Sequence, residues 1–228
     1  MKATAIVLAA GKGSRVGKAE NKVFLPLGGY PVLYWSLKVF QDCEQIDSII
    51  VAAAEGELER VREIAEQYHL DKVRTIIQGG ATRLESVKQS LSGIPSATSV
   101  VLVHDGARPF VTEQDVSALI QEVRESHQGA ILGIPLSDTL HLTGANMMIS
   151  NTLNRQICWR AQTPQCFPKG VLIAAYASYD GVSPVTDDAS LVRQVGGNVK
   201  ILPGSVENIK ITDPIDLQIA EVILANRG

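Results

Sequence analysis

Ala5-Ile6-Val7-Leu8-Ala9 runs without a break into Ala10-Gly11-Lys12-Gly13-Ser14-Arg15-Val16-Gly17, and Lys22 follows before Phe24-Leu25-Pro26-Leu27. The apolar run reads as a strand buried in a parallel sheet, and a glycine-rich turn at the carboxyl end of such a strand is where open α/β sheets bind ligands. Glycines there let backbone N–H groups approach phosphate oxygens, while Arg15 and Lys22 add the positive charge a polyphosphate needs. Two better-known glycine loops do not fit. No Gly-Lys-Ser/Thr follows a four-residue gap from a glycine, so the G-x-x-x-x-G-K-[ST] loop is absent. The G-x-G-x-x-G dinucleotide fingerprint needs a glycine at 16, where the chain has Val16, and the segment expected to hold its acidic ribose ligand reads Tyr34-Trp35-Ser36-Leu37. Taken alone, a Gly-x-Gly-x-Arg turn equally suits a flexible surface loop.

The rest of the chain supplies the context. Residues 5–9, 48–53, 73–77, 100–103 and 130–134 read as strands, and 32–40, 58–69, 83–91 and 113–126 as amphipathic helices between them. Thr112, three residues before Asp115, is a candidate N-cap for the last helix. Repeated βα units predict a doubly wound, mostly parallel, Rossmann-like α/β sheet with helices on both faces. No repeats or linker-like tracts interrupt it, so residues 1–228 are expected to form a single domain. The pattern breaks at about 137–159, where two short strand-like runs flank Gly144-Ala145-Asn146 and predict a hairpin arm projecting from the core. An isolated hairpin is marginal in water, so its apolar residues want a partner surface. Folding back onto its own domain is the alternative to reaching another copy.

With 45% apolar residues in 228, the chain can bury a full core. A net charge of -3 gives no reason to expect nucleic acid as a partner. Cys43, Cys158 and Cys166 are odd in number and widely spaced, which favours buried reduced thiols over a disulfide or metal site. No cleavable leader and no 18-residue apolar stretch is evident, so the expectation is a soluble cytoplasmic protein with no membrane partner.

Leu8-Ala9-Ala10-Gly11-Lys12-Gly13-Ser14-Arg15 with Lys22 resembles the signature loop of nucleotidyltransferases that make activated sugars and sugar-like alcohols. Within that superfamily the chain resembles the 2-C-methyl-D-erythritol 4-phosphate cytidylyltransferases of the non-mevalonate isoprenoid pathway. Five further segments match in order: Gln78 to Val87, Val103 to Phe110, Asp138-Thr139, Arg160 to Gln165, and Asn208 to Thr212. The resemblance implies a nucleotidyltransferase-type fold, transfer of CMP from CTP to methylerythritol phosphate with release of pyrophosphate, and a homodimer in which the arm crosses to the second subunit.

That chemistry joins two anions and builds further negative charge, so it calls for Arg, Lys and Mg²⁺ with a carboxylate near the metal, and for no covalent nucleophile. Arg15 and Lys22 are candidates for the α-phosphate and transition state, the first gripping oxygens bidentately and the second acting as a point charge. Asp105, ending the fourth strand, suits Mg²⁺ or another divalent cation, or alternatively a turn aspartate. Gly106 is small enough for close approach of the nucleotide, and Arg108 suits either substrate binding or bracing of the turn. The resemblance assigns nucleotide binding to Ala9, Ala10, Gly11 and Gly13, and base and ribose contacts to Gly80, Arg83 and Ser86. It assigns the second substrate's phosphate to Thr139, Arg155 and Thr163, with Thr139 and the catalytic Arg155 given across the dimer, and includes Thr186 in the substrate site. Lys210 is expected to reach the CTP phosphates from a strand end.

Ser137 and His141 stand where family members often carry basic residues. His104 reads as a strand-end packing residue, because a phosphate monoester attacks without losing a proton. His69 and His127 fall at helix ends. Two alternatives accompany this reading, a ribitol 5-phosphate cytidylyltransferase and a non-catalytic nucleotide-binding module.

Overall fold

A computed structural model describes residues 2–11 and 21–227. In chain order these form β1 (Lys2–Leu8), β2 (Pro26–Leu27), β3 (Tyr30–Pro31), α1 (Val32–Asp42), β4 (Ile46–Ala53), α2 (Leu58–Gln67), β5 (Val73–Gln78), α3 (Arg83–Ser90), β6 (Thr98–Asp105), α4 (Glu113–Ser126) and β7 (Gly129–Pro135). There follow β8 (His141–Thr143), β9 (Ile149–Thr152), β10 (Trp159–Pro168), α5 (Lys169–Ala177), α6 (Asp188–Gln194), β11 (Val199–Pro203) and α7 (Pro214–Arg227).

Seven strands make one sheet in the order β11-β7-β10-β6-β1-β4-β5. β1 pairs in parallel with β4 and β6, β4 with β5, and β7 with β11, whereas β10 runs antiparallel between β6 and β7. The chain winds outward from β1 through β4 to β5, then returns to the other side of β1 as β6. The carboxyl ends of β1 and β6 therefore meet at the point where strand order reverses, which in open α/β sheets is the ligand crevice.

The apolar runs are strands buried on both faces. Along β1, Ala3, Ala5 and Val7 join the core under α1, α2 and α4, with Leu33, Leu37, Phe40, Val61 and Leu119. Ile6 faces the opposite core, with Val87 of α3, Leu172 of α5 and Leu191 of α6. Full burial of such side chains contributes about 1.5–3 kcal/mol each. Thr4, also on the inner sheet, is satisfied by the hydroxyls of Ser48 and Thr98. A third cluster, containing Leu27, Val32, Phe110, Ile211 and Ala220, packs α7 beside β2 and β3. α4 begins as expected, with Thr112 and Asp115 forming a reciprocal capping box.

Several elements differ from the sequence reading. The sequence does not mark β10 as a strand, because its Gln162, Thr163 and Gln165 break the apolar pattern; these polar side chains are buried but find partners. Its pairing with β7 is interrupted between Ala161 and Gln165, and there Thr163 turns toward β6. The sequence pattern does not mark α5, β11 or α7 either, and of α6 only the Thr186-Asp187-Asp188 start reads as a capped helix N-terminus. The arm is present as the antiparallel pair β8 and β9, a sheet of its own, and its strands are shorter than expected because Asn146 and Met147 adopt positive φ in the turn. Of the three thiols, Cys43 and Cys166 are buried and Cys158 is only half-buried.

Candidate active site

Leu8 and Asp105 are register partners across β1 and β6, so the glycine turn and the aspartate leave the sheet side by side. Gly106 N–H donates to Leu8 O at 2.9 Å, and a Cβ on Gly106 would lie 3.0 Å from that oxygen, so the approach of the two turns needs glycine. Asn21 fixes the far end of the loop. Its Nδ2 donates to Ala9 O at 2.7 Å and to Glu57 Oε2 at 2.8 Å, and its Oδ1 caps the short helical turn that begins at Lys22. Lys22 is thus tied to the end of β1 while Val23 and Phe24 anchor the turn in the core.

Between these turns lies a cavity of about 250 Å³. Ala10, Gly11 and Lys22 line one side, Gly80, Arg83 and Ser86 another, and Asp105 and Lys210 a third. Ala81, Thr82, Val23 and Leu8 complete the wall together with Ala107, which like Gly106 is small enough for close approach of a nucleotide. The Gly80 loop is held from within, since Gly80 N–H donates to Ser86 Oγ at 3.1 Å and Ser86 Oγ donates to Thr82 O at 2.9 Å.

Charge is concentrated on Asp105. Lys210 Nζ lies 2.7 Å from its Oδ2, Arg83 Nε 3.3 Å from its Oδ1, and Arg108 Nε 4.0 Å from its Oδ2. Burial pushes the Asp105 carboxyl up, but Arg83, Lys210 and Arg108 outweigh it and hold the group well below the usual carboxylate range. Arg83 reaches further: its Nη2 donates to Asp188 Oδ2 at 2.7 Å, and the fully buried Asp188 accepts from Tyr176 OH at 2.5 Å. Burial opposes the charge of Arg83, yet Asp188 and Asp105 raise its pKa. Arg83, Arg108 and Lys210 outnumber the carboxylates of Asp105 and Asp188 by one charge, and Lys22 adds another at the cavity wall, which suits a polyphosphate. Among the described residues no group of three or more His, Cys, Asp or Glu is placed to hold a metal. A single carboxylate beside a cavity lined by Lys22, Arg83 and Lys210 is the kind of donor that suits Mg²⁺, which takes one or two carboxylates together with substrate phosphates.

The remaining candidates are placed as follows. Ala9 and Gly106 are buried behind the cavity wall. Gly13 and Arg15 lie outside the described residues. Lys210 comes from the extended segment between β11 and α7, not from a strand end as expected. Arg108 braces the turn through Nη1, which donates to Asn208 O at 2.7 Å, and it also lines a second cavity of about 310 Å³ with Arg160 and Lys210. Thr163 is buried, and its hydroxyl contacts Asp105 N and His104 Nδ1, each at 3.1 Å. Thr139 and Arg155 are exposed on the arm and its return, outside both cavities; Arg155 Nη1 donates to Ser137 O. Thr186 is exposed, immediately before Asp187, which rather than Thr186 forms the capping box of α6 with Ser190. His69 and His127 are exposed at helix ends with positive φ. Asn21, Tyr176 and Asp188 are residues around the site that the sequence does not single out, and His104, inside the matched Val103 to Phe110 segment, is read there only as packing.

A model of the family described as 2-C-methyl-D-erythritol 4-phosphate cytidylyltransferase matches residues 3–226. A protein of that name from Alkaliphilus metalliredigens is 42% identical, over 99% of this chain and 94% of its own length. Among solved structures, the 4-diphosphocytidyl-2C-methyl-D-erythritol synthase of Anaerococcus prevotii superposes with a TM-score of 0.86 at 29% identity, over 98% of both chains. The Francisella tularensis cytidylyltransferase does so with a TM-score of 0.80 at 32% identity, over 97% of this chain and 99% of its own.

Proposed function

The chain belongs to the 2-C-methyl-D-erythritol 4-phosphate cytidylyltransferase family, and from that premise we propose a division of labour among the residues of its crevice. The reaction is CTP-dependent cytidylyl transfer to methylerythritol phosphate, a step of isoprenoid precursor biosynthesis by the non-mevalonate pathway. Neither the ribitol 5-phosphate alternative nor the non-catalytic module accounts for that membership. A phosphate oxygen of methylerythritol phosphate forms a bond to the α-phosphorus of CTP, the bond from that phosphorus to the bridging oxygen breaks, and pyrophosphate leaves.

CTP lies across the cavity, with base and ribose toward Gly80, Arg83 and Ser86 and the phosphates toward Ala10, Gly11 and Lys22. Lys22 stabilises the charge that builds on the α-phosphate, with Arg15 as its partner from the same loop. Lys210 stands opposite, held ready by Asp105. The observation that carries this reading is the Lys210–Asp105 pair at 2.7 Å, which faces Gly11 and Lys22 across one cavity at the topological switch point. Asp105 is the carboxylate that would hold Mg²⁺ brought in with CTP. The ion would neutralise phosphate charge and order the oxygens.

Arg108 lines the second cavity with Arg160 and Lys210 and not the one lined by Gly11, and the second substrate is assigned to that side. Thr139 and Arg155 serve that substrate from a second subunit. This is supported by the exposed apolar side chains of Leu142, Met147, Met148 and Ile149 on an arm that makes few contacts of its own. Thr186 borders the same approach. The working unit is accordingly a homodimer of single nucleotidyltransferase domains, and a cytoplasmic one, which agrees with three free thiols and with the finding that no described helix is long and apolar enough to cross a membrane.

Pyrophosphate release with CTP and Mg²⁺ tests the reading. Rapid release with methylerythritol phosphate and little with ribitol 5-phosphate is expected; the reverse preference would transfer the mechanism to the other polyol.

A further inference from the structure

His104 is fully buried at the end of β6, its ring edge-on to Phe40 with centroids 5.2 Å apart. Successive strand residues face opposite ways, so its side chain points away from Asp105, beneath the cavity. Both ring nitrogens are engaged: Nε2 lies 3.1 Å from Arg108 O and Nδ1 lies 3.1 Å from Thr163 Oγ1. A carbonyl oxygen only accepts, so Nε2 carries the proton. In the neutral ring Nδ1 is then an acceptor, and the Thr163 hydroxyl donates to it. The same hydroxyl oxygen accepts from Asp105 N–H at 3.1 Å. Burial, only partly offset by Asp105, lowers the imidazole pKa to about 4, in agreement with a neutral ring.

The consequence is a closed relay of hydrogen bonds, from Asp105 N–H through Thr163 and His104 to the carbonyl of Arg108. It spans the ends of the turn that presents both the Asp105 carboxylate and the Arg108 guanidinium. Thr163 has its hydroxyl proton directed at the ring, so it has none to offer a phosphate oxygen. Ser36 Oγ, which donates toward Gly106 O and Arg108 O at 3.0 and 3.2 Å, holds the same turn from α1.

We propose that His104 is a positioning residue for cytidylyl transfer: through Thr163 and the Arg108 carbonyl it sets the Asp105 to Arg108 turn, and Thr163 acts on the reaction through this relay rather than by touching the substrate phosphate. The inference rests on the cytidylyltransferase reading of the crevice, and wild-type pyrophosphate release checks that reading separately.

The test is a double-mutant cycle in steady-state pyrophosphate release. His104→Asn keeps an acceptor toward Thr163 but loses the donor to Arg108, His104→Leu loses both, and Thr163→Val removes the link without touching the ring. Expected are kcat losses of about 10–100-fold for His104→Leu and Thr163→Val, as when outer partners of a functional group are removed. The KM for CTP should stay within about threefold, since base and ribose are held elsewhere, and the double variant should be no worse than the poorer single one. His104→Asn should fall between wild type and His104→Leu. Unchanged kcat in folded His104→Leu, or losses that multiply in the double variant, overturns the proposal. If the His104 variants do not fold, Thr163→Val decides alone: a raised KM for methylerythritol phosphate at unchanged kcat marks direct substrate contact and overturns it, whereas a fall in kcat at unchanged KM supports it.

Discussion

Lys210 Nζ sits 2.7 Å from Asp105 Oδ2, joining the segment before α7 to the end of β6 across the mouth of the cavity. The pair gives Lys210 a fixed address in a segment with no regular secondary structure. It also accounts for part of the depression of the Asp105 pKa.

Lys210→Ala removes one of the cations around Asp105 and a donor to the phosphates. Turnover is expected to fall about 10²–10³-fold, the scale seen when a single preorganised charge or donor is deleted from a developing anion. The fold should persist, because the Lys210 side chain is partly exposed and Arg83 still pairs with Asp105. Pyrophosphate release together with a thermal melt measures both.

Asp188→Ala leaves the Arg83 guanidinium and the Tyr176 hydroxyl without their shared buried acceptor. Breaking a buried ion pair from one side costs about 3–5 kcal/mol, so the melting temperature should fall by roughly 10 °C or more. Asp188→Asn, which keeps an acceptor for Tyr176, should lose less. A melt of Asp188→Ala matching wild type would count against the network.

Stability should fall as pH drops from about 6.5 to about 4. His104 stays neutral in the folded protein down to about pH 4, whereas in the unfolded chain it takes up a proton near its ordinary value, so the unfolded state binds more protons across that window. The loss integrates to about 3 kcal/mol at most. Asp105 works at lower pH: its depressed carboxyl stabilises the fold above the ordinary carboxylate range, and that contribution is lost only as pH falls through its folded value. Urea titrations at several pH values, on wild type and His104→Asn, should show the first slope in the wild type alone.

The β-arm predicts composite active sites. Mixing inactive Lys22→Ala subunits with inactive Arg155→Ala subunits yields heterodimers in which one site carries both lesions and the other neither. At equal mixing about a quarter of wild-type activity should return. No recovery would place Arg155 in its own subunit's site.

Much of this was legible in the sequence for a physical reason: strands buried on both faces must be apolar throughout, so β1, β4, β6 and β7 stand out as runs, and the residue ending each run marks a crevice position, as with Asp105. What stayed hidden depends on pairings between distant segments. Nothing near Asp188 says that Arg83 lies against it, and nothing near Asn21 says that it reaches back to Ala9. β10 carries polar residues whose burial is tolerable only because Thr163, Gln162 and Gln165 meet partners from other elements. His104 reads from sequence as packing, because the reaction needs no proton removed; only its two hydrogen-bond partners show that it also ties a turn together.

If cytidylyl transfer takes place in the cavity between Gly11 and Asp105, Lys22 must carry part of it. The most direct measurement is pyrophosphate release by Lys22→Ala at saturating CTP, methylerythritol phosphate and Mg²⁺, with the melting temperature recorded alongside. An unchanged melt and a turnover lower by about 10³-fold or more are expected. A folded variant that retains turnover within about tenfold of wild type would place Lys22 outside the reaction, because deleting one preorganised donor at a developing charge typically costs about 10²–10³-fold.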